Sequence, residues 1–202
     1  MITYEEMLDR DLEWALREGS MHFDESSSVH KTLRKLCERL EELGIDYAIM
    51  GGMALFFHGY RRFTEDVNLL VTPEGLERIH EELGGRGYLR PFDASKNLRD
   101  TDTKVRIDFL VTGQYPGRGE PDAIAFPIPM DVSTTLHGIR VVTIPRLVEL
   151  KIASGRRKDL ADVQELIRVI ELSREFATQL HPKVQDTYTE LWDELQDAPP
   201  SR

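Results

Sequence analysis

Residues 104–111 alternate: Val105, Ile107, Phe109 and Val111 are apolar and share one face, with Arg106 and Asp108 on the other, where Leu110 follows them. Successive side chains of a strand point to opposite faces, so this run demands a sheet with one face in a core and the other open to solvent or to chemistry. A second run, Asp66–Val71, is rich in β-formers, and a third, residues 45–50, reads as a short buried strand.

Helical patterns surround these strands. Thr3 and Glu6 have capping-box spacing, and Tyr4, Leu8, Leu12 and Ala15 follow at helical intervals, which predicts one helix over 4–18. Val29, Leu33, Leu36, Leu40 and Leu43 form the next stripe, stopped by Gly44. A short helix over 53–58 follows Gly51-Gly52, and Thr72-Pro73-Glu74 opens another that carries Leu76, Ile79 and Leu83. Residues 113–130 read as an extended loop, His137-Gly138 as a turn and 139–143 as a strand. Pro145 opens a helix that Gly155 ends, and two further helices carry Leu160 to Ile170 and Val184 to Leu195. Strands separated by helices, with helices at both ends, predict an α/β or α+β fold around a mixed sheet. The natural divisions are terminal helices over 1–44, a core over 45–171 and a C-terminal helix with a frayed tail over 172–202.

The 202 residues, 40% apolar and 31% charged, suit one compact domain with terminal additions. No window holds the roughly 18 apolar residues of a membrane span, and the acidic start lacks the pattern of a secretory signal. A cytoplasmic protein with no membrane partner is expected. The single cysteine, Cys37, permits no internal disulfide and no cysteine zinc cluster, and reads as a packing residue. The net charge of -10 is unevenly spread: residues 1–30 hold eight acidic and two basic groups, whereas 31–171 are nearly neutral. Such a chain is a poor general nucleic-acid binder, although Arg61-Arg62 and Arg156-Arg157-Lys158 form local basic patches.

Chemistry concentrates around Gly51-Gly52. Two glycines between a strand and a helix let backbone N–H groups approach an anion, which is phosphate-cradling geometry; a plain tight turn is the other reading. Asp66 and Asn68 lie two apart on one strand and share a face, with α-carbons about 6.6 Å apart. Asp108, on a strand that can run beside theirs, is the third oxygen-ligand candidate, and Asp102 lies near it in sequence. Clustered carboxylates suit hard divalent cations in phosphoryl transfer, whereas each alone suits a solvated edge or a cap. His58, with no second histidine at ligand spacing, reads as a helix-end or core residue. No Gly-x-Ser-x-Gly elbow and no Walker loop is present.

The segment Gly51-Gly52-x-Ala54 through Arg62-x-Thr64-x-Asp66-x-Asn68 resembles the polymerase-β type of nucleotidyltransferase. More specifically, it is similar to the branch of AbiEii-like toxins and minimal nucleotidyltransferases. Leu147-Val148-Glu149-Leu150-Lys151 and Arg157-Lys158-Asp159-Leu160-Ala161-Asp162 look like that branch's downstream motifs, so the resemblance spans about 45–170. It implies a mixed-sheet core and transfer of a nucleoside monophosphate from a nucleoside triphosphate to an acceptor hydroxyl. In the toxin branch the acceptor is often tRNA or another RNA, and a protein partner is common. Carried over by residue, Gly51, Gly52, Arg62 and Thr64 would hold nucleotide, and Asp66, Asn68 and Asp108 would bind magnesium or manganese. Lys151 and Asp159 would fill the downstream motifs; the residues alone equally suit surface ion pairs. One departure stands out: active relatives usually carry Asp where this chain has Asn68. A carboxamide still ligates through oxygen but lacks one negative charge, so a weakened, nucleotide-binding relative is the alternative.

Overall fold

The computed structural model describes residues 2–116 and 124–197. Its strands are β1 (Tyr47–Met50), β2 (Asp66–Val71), β3 (Tyr88–Leu89), β4 (Leu98–Asp100), β5 (Arg106–Val111), β6 (Ser133–Leu136) and β7 (Ile139–Val142). They form one seven-stranded sheet in the order β3-β4-β5-β2-β1-β7-β6. The fold is α+β with a mixed sheet: β2 runs parallel to β5 and β1 parallel to β7, while β1–β2, β3–β4, β4–β5 and β6–β7 are antiparallel.

The helices are α1 (Tyr4–Arg10), α2 (Leu12–Phe23), α3 (Ser28–Glu42), α4 (Gly51–Phe57), α5 (Pro73–Leu83), α6 (Pro129–Val132), α7 (Ile144–Ser154), α8 (Arg157–Val169) and α9 (Pro182–Asp197). A 3-10 helix (Arg174–Gln179) precedes α9 and packs on it through Phe176 and Tyr188, ring centres 5.6 Å apart. No helix among the described residues is long and apolar enough to cross a membrane.

The first helix is broken where one was expected over 4–18. Asp11 adopts extended backbone, and its side chain accepts from the Trp14 amide at 2.9 Å, so a second N-cap interrupts the periodic stripe. The Thr3–Glu6 capping box is formed in full. Tyr4 is fully buried, and its amide donates to the Lys104 carbonyl at 3.3 Å, tying the N-terminal helices to the core beside β5. Thr72 caps α5 with Pro73 in its first turn, and Gly155 ends α7 in the left-handed conformation at φ 64°. Three short strands escape the sequence pattern, namely β3, β4 and β6, and so does α6. The stretch expected as a loop over 113–130 ends in the first two residues of α6, and its residues 117–123 lie outside those described. The turn at His137-Gly138 joins β6 to β7 with positive φ at both residues, the two-residue hairpin form that matches strand twist.

Sheet pleat divides the two faces. Val67, Leu69, Val71, Ile107 and Phe109 are buried on one face, where His80 of α5 meets Phe109 edge-on. The opposite face presents Asp66, Asn68, Arg106 and Asp108, all only partly buried. Leu147 and Leu150 of α7 line a cavity together with Asn68 and Leu110 of that face.

Beneath the loop that carries Arg61 and Arg62, His22, Ser27 and His30 are buried among Phe56 and Phe63. Burial holds both histidines below the ordinary imidazole range, with Arg62 adding to the effect on His22 and Glu18 and the Arg62 carbonyl opposing it. For His30, burial leads, His22 and Arg34 add, and the result is about 4. The unfolded chain therefore binds more protons below about pH 6.5, and stability should be complete above that pH and fall towards pH 4. The slope is at most about 1.4 kcal/mol per pH unit for each histidine. Denaturant melts from pH 4 to 8 should show this loss, and His30→Asn should flatten it; an unchanged slope in the variant would contradict it.

Candidate functional site

Parallel pairing of β2 with β5 sets Asp66 beside Arg106 and Asn68 beside Asp108, in register. Paired residues of neighbouring strands project to the same face about 5 Å apart, so the two carboxylates, the carboxamide and the guanidinium share one patch. Thr64 Oγ1 donates to Asp66 Oδ1 at 3.0 Å. Arg106 Nη2 donates to Asp66 Oδ2 at 3.3 Å, and its Nε lies 3.1 Å from Asp108 Oδ2. Asp108 Oδ1 is buried without a hydrogen-bond partner. Burial, reinforced by Asp66 and Glu5, holds the Asp108 carboxyl above the usual carboxylate range, against the opposing pull of Arg106 and Lys96.

The glycine turn lies directly over this patch. Gly51 has φ 62°, and a Cβ there would stand 2.9 Å from Asn68 Nδ2; a Cβ on Gly52 would stand 2.6 Å from Thr64 Oγ1. Both glycines are therefore required by close approach, since any side chain would push Thr64 off Asp66 or Asn68 off its place. The sequence reading supplied anion binding as the reason for the pair; the structure adds this steric one.

The downstream residues gather in a buried ionic knot. Lys151 is 6% exposed, and its Nζ donates to Asp162 Oδ2 at 2.7 Å and to Asp159 Oδ1 at 2.9 Å. Arg62 grips the same Asp162, with Nη2 donating to Oδ2 at 3.0 Å and Nε 2.9 Å from Oδ1. Ser154 Oγ donates to Asp159 Oδ2 at 2.6 Å. Burial alone would raise the Asp159 carboxyl; Lys151, Ser154 and Arg156 together hold it below its ordinary range. Arg62, which the resemblance places on nucleotide, and Lys151, which it places in a downstream motif, are thus both engaged with carboxylates. Asp162 is the shared anchor.

A cavity of about 280 Å³ meets the patch at Asn68 and the knot at Lys151 and Asp159, and Asp66, Arg106 and Asp108 do not line it. Gly51, Lys96, Tyr115, Phe126, Ser154 and Arg156 are also among its lining residues. The lining combines cations and backbone with aromatic rings, which suits a ligand that carries both phosphate and a flat apolar part. Asp102 does not join the carboxylates: it pairs with Lys35 of α3 at 2.9 Å, and no group of three His, Cys, Asp or Glu side chains placed to hold a metal occurs among the described residues. His58 caps the end of α4 and bonds the Val142 carbonyl through Nε2 at 2.7 Å. Arg106 was legible as a neighbour of Asp108, because the period of two puts both on one face. Lys96 lies in an irregular stretch with no such signal.

No protein-family model and no curated protein matches this sequence. Several solved structures are similar in outline. A candidate nucleotidyltransferase from Thermotoga maritima is 13% identical, with a TM-score of 0.49 over 68% of this chain and 91% of its own. An antigenic nucleotidyltransferase-like protein from Paracoccidioides brasiliensis is 23% identical, with a TM-score of 0.48 over 72% and 77%. The enzyme ANT(2'')-Ia, in complex with adenylyl-2''-tobramycin, is 16% identical, with a TM-score of 0.39 over 83% and 92%. The chemistry of this chain rests on its own side chains.

Proposed function

We propose that this chain binds a nucleoside triphosphate in the cavity beside β2 and β5 and transfers its nucleoside monophosphate to an acceptor hydroxyl. The observation that carries the reading is the shared sheet face of Asp66, Asn68 and Asp108, which meets through Asn68 a cavity also lined by Lys96, Arg156 and Gly51. In the transfer the acceptor oxygen bonds to the α-phosphorus as the bond to pyrophosphate breaks, and its proton passes to a carboxylate or to water.

The donor set fits one hard divalent cation. Two carboxylates and a carboxamide offer oxygens on one face, and Asp108 Oδ1 is buried with no partner of its own. Asp66, Asn68 and Asp108 would hold magnesium or manganese, which would screen the triphosphate when bound. Lys96 and Arg156 meet phosphate charge, and Tyr115 and Phe126 offer surfaces for a base. Thr64 fixes the Asp66 carboxylate, and the Lys151–Asp162–Arg62 knot holds α7 and α8 in place around the cavity.

An RNA hydroxyl, in tRNA or another RNA, is the acceptor this reading favours, with exposed Arg61, Arg156, Arg157 and Lys158 to meet its backbone. The acidic N-terminal helices suit a protein partner, as in an AbiEii-like toxin–antitoxin pair acting in the cytoplasm. Asn68, with Arg106 already paired with both carboxylates, favours a second reading: nucleotide held without turnover.

Melting the protein with each nucleoside triphosphate, with and without magnesium or manganese, separates these readings from their failure. Nucleotide at one hundred times its dissociation constant should add about 2.7 kcal/mol, only when the divalent cation is present. Transfer of label to total RNA then distinguishes the enzyme from the binder. Unchanged melting across millimolar nucleotide and metal would exclude both.

A further inference from the structure

The carboxylate pair already has a cation. Arg106 reaches Asp66 at 3.3 Å and Asp108 at 3.1 Å with two different nitrogens, so its guanidinium sits where an ion shared by the two would lie. Two carboxylates on adjacent strands repel when nothing lies between them, and a guanidinium in that place removes the repulsion. We propose that Arg106 is the resident counter-ion of this pair, a positioning residue that a divalent cation must displace in order to enter. This deepens the nucleotide reading and rests on it for the identity of the entering cation.

Two observations make the guanidinium a removable occupant. The Arg106 side chain is 44% exposed, twice the 22% of each carboxylate, so it has solvent to swing into. An ion pair with that exposure contributes little net stability, and its loss is cheap. Its contacts also leave the site incomplete: both reach an Oδ2 atom, Thr64 takes Asp66 Oδ1, and Asp108 Oδ1 stays buried and unpartnered. A fixed structural pair would be expected to satisfy that oxygen. The consequence is coupling: a metal ion arriving alone competes with the guanidinium, whereas one arriving on a triphosphate brings an anion to receive it.

The test is manganese binding to the full chain without nucleotide, read by electron paramagnetic resonance. The parent should bind weakly and Arg106→Gln more tightly by about tenfold or more, since one positive charge has left the site. Adding Asp108→Asn to Arg106→Gln should abolish the gain, which locates the ion. Arg106→Lys, which keeps the charge, should stay close to the parent. Circular dichroism establishes that each variant is folded. A folded Arg106→Gln that binds manganese no more tightly than the parent overturns the proposal, as does a gain that survives Asp108→Asn. Calorimetric titration of the parent with ATP and manganese separates the two ideas. Nucleotide bound without any gain in Arg106→Gln sinks Arg106 alone; a gain with no nucleotide bound sinks the nucleotide reading and leaves Arg106 as the counter-ion.

Discussion

Replacing Lys151 with Met should lower the free energy of unfolding by about 3–5 kcal/mol. The ammonium lies between two carboxylates, 2.7 Å from Asp162 and 2.9 Å from Asp159, and all three groups are largely withdrawn from water. Removing it leaves Asp159 with Ser154 and Asp162 with Arg62, and two buried negative charges short of one cation. The cost arises from the stranded charges more than from the lost pair, so combining Lys151→Met with Asp162→Asn should cost less than the two separate changes added together. Acid should act on the same knot. Asp159 is held below the ordinary carboxylate range, so its contribution is present above about pH 4 and is lost as pH falls through the folded value. Denaturant titrations of the nucleotide-free protein decide the matter. A lysine kept to neutralise bound phosphate would leave that stability within about 0.5 kcal/mol of the parent.

The knot also shows what sequence can and cannot convey. The strand Asp66–Val71 and its counterpart ending at Val111 are readable because β-formers and a period of two leave no other conformation that buries Val67, Leu69, Ile107 and Phe109 together. That reading carries Asp66, Asn68 and Asp108 to one face as soon as the strands are made parallel neighbours. The break at Asp11 is harder, because the stripe of Leu8, Leu12 and Ala15 runs straight through a residue that caps more readily than it propagates. Strands β4 and β6 are short and polar at their edges: Leu98-Arg99-Asp100 and Ser133-Thr134-Thr135-Leu136 carry no alternation long enough to separate from a loop. Least readable is the joining of Arg62 to Asp162, one hundred positions apart. Nothing local distinguishes an arginine that will bind a substrate phosphate from one that will bind a carboxylate on a helix not yet placed. Only the packing of α8 behind α7 settles which it meets.

Changing Asp108 to Asn should cut nucleotidyl transfer by about a thousandfold while leaving the fold at least as stable as the parent's. The two effects have opposite signs for one reason. Burial, with Asp66 and Glu5 nearby, raises the Asp108 carboxyl above its ordinary range, so the charged form is less favoured in the folded chain than in the unfolded one. That penalty is present at neutral pH and disappears as pH falls below the unfolded carboxylate value near 4, so a neutral isostere removes it wherever the parent is ionised. A carboxylate kept for stability would behave the other way, and its loss would lower the melting temperature. The converse change, Asn68→Asp, places a carboxylate in register with Asp108 and against Gly51. It should tighten binding of magnesium or manganese and raise transfer, at the cost of stability in a metal chelator, where the added charge faces Asp108 with only Arg106 to offset it. Rates measured with labelled nucleotide, beside melting curves with and without chelator, read both variants at once. Parental transfer by Asp108→Asn would place the chemistry elsewhere in the molecule. Transfer gained only with Asn68→Asp would mean that the natural chain binds nucleotide at a site built for turnover and held short of it by one missing charge.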